Sequence, residues 1–257
     1  MKLNFKKSGT GQPLIILHGL FGSLDNWQTL GKQFAVKFTV FLVDQRNHGQ
    51  SPHSDKWNYQ VMADDLDEFI TMENIKDPIV VGHSMGGKTA MLHAVQNPKK
   101  IKKLIVADMA PRQYEPHHEQ ILAALNAVDF DKISSRKEAE DILAEYINDF
   151  GTKQFLLKNL YWKDVENKKL SWRFNLEAIS NNIEDVGKAI PQDKPAKNLP
   201  VLFIRGGKSN YVTERDNDSI KKIFPTAEIK TIENAGHWLH AEAPEEFYQM
   251  VIEFANN

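Results

Sequence analysis

The chain reads as an α/β protein: a mainly parallel central sheet of about seven strands flanked by helices, with a helical cap inserted. Three observations predict this. Short apolar runs rich in β-branched residues recur along the chain, helical patterns separate most of them, and one long stretch (111–195) holds helical patterns without strands. Runs that are apolar on both faces mark parallel strands covered by helices on either side. Alternation of strand and helix then argues for right-handed βαβ crossovers.

Taken in order, LNFK near the start reads as an edge strand, and PLIIL (13–17) and TVFLV (39–43) as buried ones. In YQVMADDLDEFI, Val61, Met62, Leu66, Phe69 and Ile70 recur at helical spacing. PIVVG (78–82) and IKKLIVAD (101–108) are further strands, with the helical KTAMLHAVQN between them. From Pro111 to about Pro195 no buried-strand pattern occurs, while HHEQILAALNAV, SRKEAEDILAEYIND, TKQFLLKNL and NLEAISNNI read as helices. That is too long for a crossover, so the expected division is a core of 1–110 and 196–257 with a cap at 111–195. PVLFI (200–204) and AEIKTI (227–232) complete the sheet. PEEFYQMVIEFA closes the chain as a helix with Phe247, Met250, Val251 and Phe254 on one face.

Composition narrows the function classes. A formal charge of −2 gives no electrostatic pull toward nucleic acid or an anionic membrane. The absence of cysteine rules out disulfides, thiolate metal sites and a cysteine nucleophile. No apolar stretch approaches the ~18 residues needed to span a bilayer, and MKLNFKKSG lacks the apolar run of a signal peptide. The expectation is a cytoplasmic monomer or homodimer acting on a small molecule, with no metal or cofactor.

The chemistry is concentrated in three places. Gly82-His83-Ser84-Met85-Gly86-Gly87 follows a strand and opens a helix, the required context of a G-x-S-x-G nucleophile elbow. A serine on such a strained turn stands above the sheet, and flanking glycines remove side chains that would clash. The following helix aims its N-terminus at the same spot, so the Met85 amide can face a developing oxyanion. After the first long strand, HGLFGS (18–23) exposes amides at the same sheet edge, and Leu20 or Phe21 supplies the second oxyanion donor. His18 itself reads as a turn-stabilising residue. Nine histidines are present, and His237 in NAGHWLH is the candidate base. It follows the last strand, in the chain order serine, acid, histidine; His240 is the rival, and Trp238 shields the imidazole or lines the substrate pocket.

HGLFGSLDNW, VDQRNHGQSPH, VVGHSMGGKTAM, ADMAP (107–111) and AGHWLHAEAP together make the chain resemble an α/β-hydrolase, more narrowly the YbfF-type esterase group. The resemblance spans the sheet domain, while the cap agrees mainly in size and in fragments such as SWRFN. It implies a serine hydrolase cleaving carboxylic esters or acyl-CoA-type thioesters through an acyl-enzyme on Ser84. A carbon–carbon bond hydrolase of the same fold, or a ligand-binding or signalling module with vestigial hydrolysis, are the alternatives.

The acid is the puzzle. Many relatives carry it at the tip of strand 200–204, where this chain has Ser209. Glu214, Asp216 and Asp218 read as solvated or helix-capping residues. Asp108 stands at the end of the strand after the nucleophile's crossover helix, and neighbouring strands lie ~4.8 Å apart. The YbfF-type pattern also implies Asp108 as the acid. Ser209 is then either a hydrogen-bond partner of Asp108 or only a turn residue. Arg46 and Lys88 read as structural. Among the cap's large side chains, Trp162, Trp172 and Phe174 either line the substrate pocket or pack the cap.

Overall fold

The computed structural model describes residues 1–115, 118–191, 193 and 195–257. In chain order the elements are β1 (Phe5–Ser8), β2 (Gln12–Leu17), α1 (Gln28–Phe34), β3 (Phe38–Val43), α2 (Tyr59–Met72), β4 (Ile79–His83), α3 (Met85–Gln96) and β5 (Lys103–Ala107). There follow α4 (Glu119–Ala127), α5 (Arg136–Tyr146), α6 (Phe150–Leu157), β6 (Leu160–Asp164), β7 (Lys169–Trp172), α7 (Leu176–Asn181) and α8 (Ile183–Gly187). The chain ends with β8 (Val201–Gly206), α9 (Asn217–Ile223), β9 (Glu228–Ile232), α10 (Leu239–Glu242) and α11 (Pro244–Asn256). His117, the first residue of the expected HHEQILAALNAV helix, lies outside the described residues.

Seven strands form one sheet in the order β1-β3-β2-β4-β5-β8-β9, with β1 antiparallel at the edge and the rest parallel. Successive side chains of each inner strand face opposite sides, and both sides are apolar. Ile15 and Leu17 join the core shared with α2 and α3, while Leu14 and Ile16 join the one that α1 and α11 cover. Each such fully buried aliphatic side chain contributes about 1.5–3 kcal/mol, so the sheet is over-determined from both faces.

Between β5 and β8 lie α4 to α8 and a two-stranded antiparallel hairpin, β6–β7. The hairpin is a departure from the all-helical reading of this stretch. It buries one face only, through Leu160, Leu170 and Trp172, and leaves the other to solvent. The segment is tied to the sheet-bearing part by hydrogen bonds from Asn175 N to Asn47 O (2.8 Å), Asn159 Nδ2 to Phe21 O (2.7 Å) and Tyr59 Oη to Val186 O (2.8 Å). Among the described residues no helix is long and apolar enough to cross a membrane.

Candidate active site

The site is assembled at the C-terminal edge of the parallel strands. β4 ends at His83, and Ser84 takes φ +53° and ψ −118° before α3 begins. A left-handed φ on a non-glycine residue costs about 1–3 kcal/mol and persists only where the surroundings enforce it. The glycines enforce it here. A Cβ on Gly82 would stand 2.3 Å from the Gly86 carbonyl oxygen, and one on Gly86 would stand 2.5 Å from that of Leu17. The turn can therefore close only with both positions bare. Ser84 occupies the N-cap position without a side-chain capping bond, and its amide donates to Ala107 O (3.1 Å). The first amide of α3, that of Met85, belongs to the same turn, where the helix end is electropositive.

β4 and β5 are neighbours in register, with His83 opposite Ala107. The next residue of β5's strand, Asp108, is fully buried and also left-handed, at φ +47°; aspartate tolerates that region better than most residues. Its carboxylate is satisfied on both oxygens. Oδ1 accepts from Gly206 N (3.0 Å), and Oδ2 accepts from His237 Nδ1 (2.8 Å) and from the Ser209 hydroxyl. The structure thus brings Asp108, His237 and Ser209 together. Ser209 Oγ in turn accepts from Tyr211 N (3.2 Å).

Two further contacts hold His237. Tyr211 stacks on it at 3.8 Å and 18°, and the half-buried Tyr211 phenol, pushed up to about 12 by desolvation and then by Asp108, stays protonated. His83 donates its Nε2 hydrogen to the His237 carbonyl (2.8 Å). Burial holds His83 well below the ordinary histidine range, so it is neutral and fixes the loop without adding a charge. His83 was not among the sequence candidates; it is simply the variable residue of the elbow, and nothing in its spacing marks that role.

On the other side of Ser84 lies the 18–23 loop. His18, neutral because burial lowers its pKa to about 4, donates from Nδ1 to Gly19 O (2.8 Å) and accepts at Nε2 from Gln45 N (3.0 Å). It is a brace for this loop. The Phe21 amide is already committed to His48 Nε2 (3.2 Å), and His48 donates its other nitrogen to Arg46 O (2.9 Å). An amide so engaged is not free to face an oxyanion, which weighs against Phe21 and toward Leu20 of the two alternatives. Arg46 makes paired contacts with Asp65, the clearer at 2.8 Å.

A cavity of about 340 Å³ opens at Ser84 and His237, lined by Trp27, Ile121, Phe155 and Trp238 among others. Trp162, Trp172 and Phe174 are not in the wall of this cavity, which weighs against the pocket-lining reading of them and toward the packing one. Trp162 sits on the hairpin, 40% exposed. Trp172 and Phe174 stack on each other (5.4 Å, 12°), with Phe130 against the first and Phe21 against the second, and so pack the hairpin down. Trp238 does line the cavity, its ring tilted against Phe155 at 5.1 Å. His240, the rival base, is buried against Trp27 at 4.1 Å and is lowered to about 3 by burial. Asp216 caps the turn at Thr213 N (2.8 Å) and pairs with Arg112 (2.8 Å), and Glu214 is exposed. Among the described residues no group of three or more His, Cys, Asp or Glu side chains is arranged to hold a metal.

A profile of the alpha/beta hydrolase fold family matches residues 12–244. Esterase YbfF of Escherichia coli is 36% identical over the whole of both chains. The mouse sn-1-specific diacylglycerol lipase ABHD11 is 38% identical over 94% of this chain and 80% of its own. A solved structure of a marine microorganism esterase is 45% identical and superposes with a TM-score of 0.95, covering 98% of this chain and 99% of that one.

Proposed function

The chain belongs to the alpha/beta hydrolase fold family, and from that premise we propose that it is a serine hydrolase cleaving carboxylic esters through an acyl-enzyme on Ser84. The observation that carries this reading is the 2.8 Å contact of His237 Nδ1 with the buried Asp108 carboxylate, beside a strained serine on the same cavity. The relatives named esterase and lipase support it. Asp108 accepts the Nδ1 hydrogen, which leaves Nε2 unprotonated and able to take the Ser84 proton. Ser84 Oγ bonds to the ester carbonyl carbon, and the Met85 and Leu20 amides hold the resulting oxyanion. The C–O bond to the alcohol breaks, and the alcohol departs with the proton from His237. Water, deprotonated in its turn by His237, releases the acid and restores Ser84. A thioester passes through the same steps with a thiol as leaving group.

In this reading residues 111–195 act as the cap, contributing Ile121 and Phe155 to the cavity above Ser84. Turnover of short p-nitrophenyl esters and acyl-CoAs by wild type and by Ser84→Ala tests the proposal. The expected loss on substitution is ~10⁴-fold or more in kcat. Retained turnover in Ser84→Ala would reject it, and a thioester rate far above the ester rate would move the substrate class.

A further inference from the structure

Ser84 lines two cavities. The larger, about 340 Å³, has His237 in its wall. The smaller, about 20 Å³, is walled in part by Met109, Tyr114 and Val186, and His237 is not among its lining residues. Leu20, His118 and Tyr211 belong to both, so the two spaces meet at the nucleophile.

Chemistry assigns the sides. The departing alkoxide has to collect the proton that the imidazole took from Ser84, so the alcohol half of the ester lies where His237 is. The acyl half, bonded to Ser84 Oγ once the C–O bond has broken, lies on the opposite side. We infer that the small cavity receives the acyl group and the large one the alcohol. On the hydrolase reading above, on which this rests, the substrates are short-acyl esters of bulkier apolar alcohols. At about 20 Å³ against about 340 Å³, the small cavity suits only the shorter half of such an ester.

The small cavity is also stiff. Tyr114 Oη accepts from Ala110 N (2.8 Å) and donates to Tyr211 O (2.5 Å), and Tyr114 N donates to Gly187 O (2.8 Å). Tyr59 Oη donates to the Val186 carbonyl (2.8 Å). The buried Lys88 donates to Gly187 O (3.0 Å) and also to Lys188 O. These bonds fix Tyr114 and the end of α8 against the core, so the wall cannot retreat for a longer chain without breaking them. Glu115 and Glu184, both exposed, line the same space. A chain growing outward past them reaches water and carboxylates, where added methylenes gain no burial.

Two ester series on the wild-type protein test this directly. Along p-nitrophenyl esters from acetate to decanoate, kcat/KM is expected to fall at least tenfold by hexanoate. Along straight-chain alkyl acetates it is expected to rise, by up to about fourfold per methylene while the alcohol is still being buried. Met109→Ala or Val186→Ala should shift the acyl optimum toward butyrate or hexanoate, and Phe155→Ala should flatten the alcohol series instead. A wild-type optimum at hexanoate or longer would overturn the assignment and leave the hydrolase reading standing. Failure to cleave any ester, together with no labelling of Ser84 by a fluorophosphonate, would remove both.

Discussion

Asp108 is expected to carry the acid role, and Ser209 to tune it. The carboxylate is fully buried, with Gly206 N on Oδ1 and both His237 Nδ1 and Ser209 Oγ on Oδ2. In Asp108→Asn the Gly206 amide still requires an acceptor, which turns the side-chain oxygen toward it and leaves the NH₂ facing His237. An NH₂ there forces the imidazole to accept at Nδ1 and carry its hydrogen on Nε2, the tautomer that cannot deprotonate Ser84. The expected cost is ~10⁴-fold in kcat. Ser209→Ala removes one of three donors, a hydrogen bond to a charged group worth at most about 1.5–3 kcal/mol. If all of that is lost from the transition state, kcat falls roughly tenfold to 150-fold. Ser209→Asp separates geometry from charge. In the wild-type background two carboxylates would abut and one would hold a proton, lowering activity; in the Asp108→Asn background the new carboxylate should recover at least tenfold. Steady-state kcat on p-nitrophenyl acetate, with thermal unfolding as a control, measures all four proteins. Near-normal kcat in Asp108→Asn, or a Ser209→Ala loss as deep as that of Asp108→Asn at unchanged stability, would refute the assignment.

Gly86→Ala places a Cβ 2.5 Å from the Leu17 carbonyl oxygen; it should yield little folded protein, and a folded, active Gly86→Ala by circular dichroism would contradict the packing of the elbow. Lys88→Ala deletes a fully buried stem and two bonds to the end of α8, and should cost about 2–5 kcal/mol in urea unfolding; a cost below the measurement error would mean α8 is held by other contacts. Burial lowers His18 to about 4 and His48 to about 3, so below the ordinary value near 6.5 the unfolded chain binds protons that the folded one does not. Stability should therefore be complete above about pH 6.5 and fall toward pH 4, by up to about 1.4 kcal/mol per unit for each such histidine. A urea midpoint that is flat from pH 7.5 to 5 would contradict it.

The sheet was readable because its inner strands are apolar on both faces: PIVVG lies in the centre of the order, PVLFI is also flanked by strands on both sides, and LNFK lies at the edge. The β6–β7 hairpin was not, because Leu160, Leu170 and Trp172 bury a single face over four or five residues. That alternation is too short to stand out from the helical patterns on either side. Ser84, Asp108 and His237 could be proposed from motifs and strand ends because short turns fix where those residues stand. Which aromatic residue of the segment 111–195 faces the cavity could not. Phe155 and Trp172 have the same composition signal, and only the fold separates them, Phe155 in the cavity wall and Trp172 stacked on Phe174. The Phe21 amide was legible only as a candidate, since its commitment to His48 joins residues 27 positions apart.

The central claim is an acyl-enzyme on Ser84 formed with His237 as base. Rapid acid quench of the protein turning over p-nitrophenyl acetate, followed by peptide mass mapping, tests it most directly. An acetyl group is expected on the peptide that carries Ser84, at the Ser84 hydroxyl, absent in Ser84→Ala and strongly diminished in His237→Ala. An acetyl adduct on another residue, or undiminished turnover in Ser84→Ala, would contradict it.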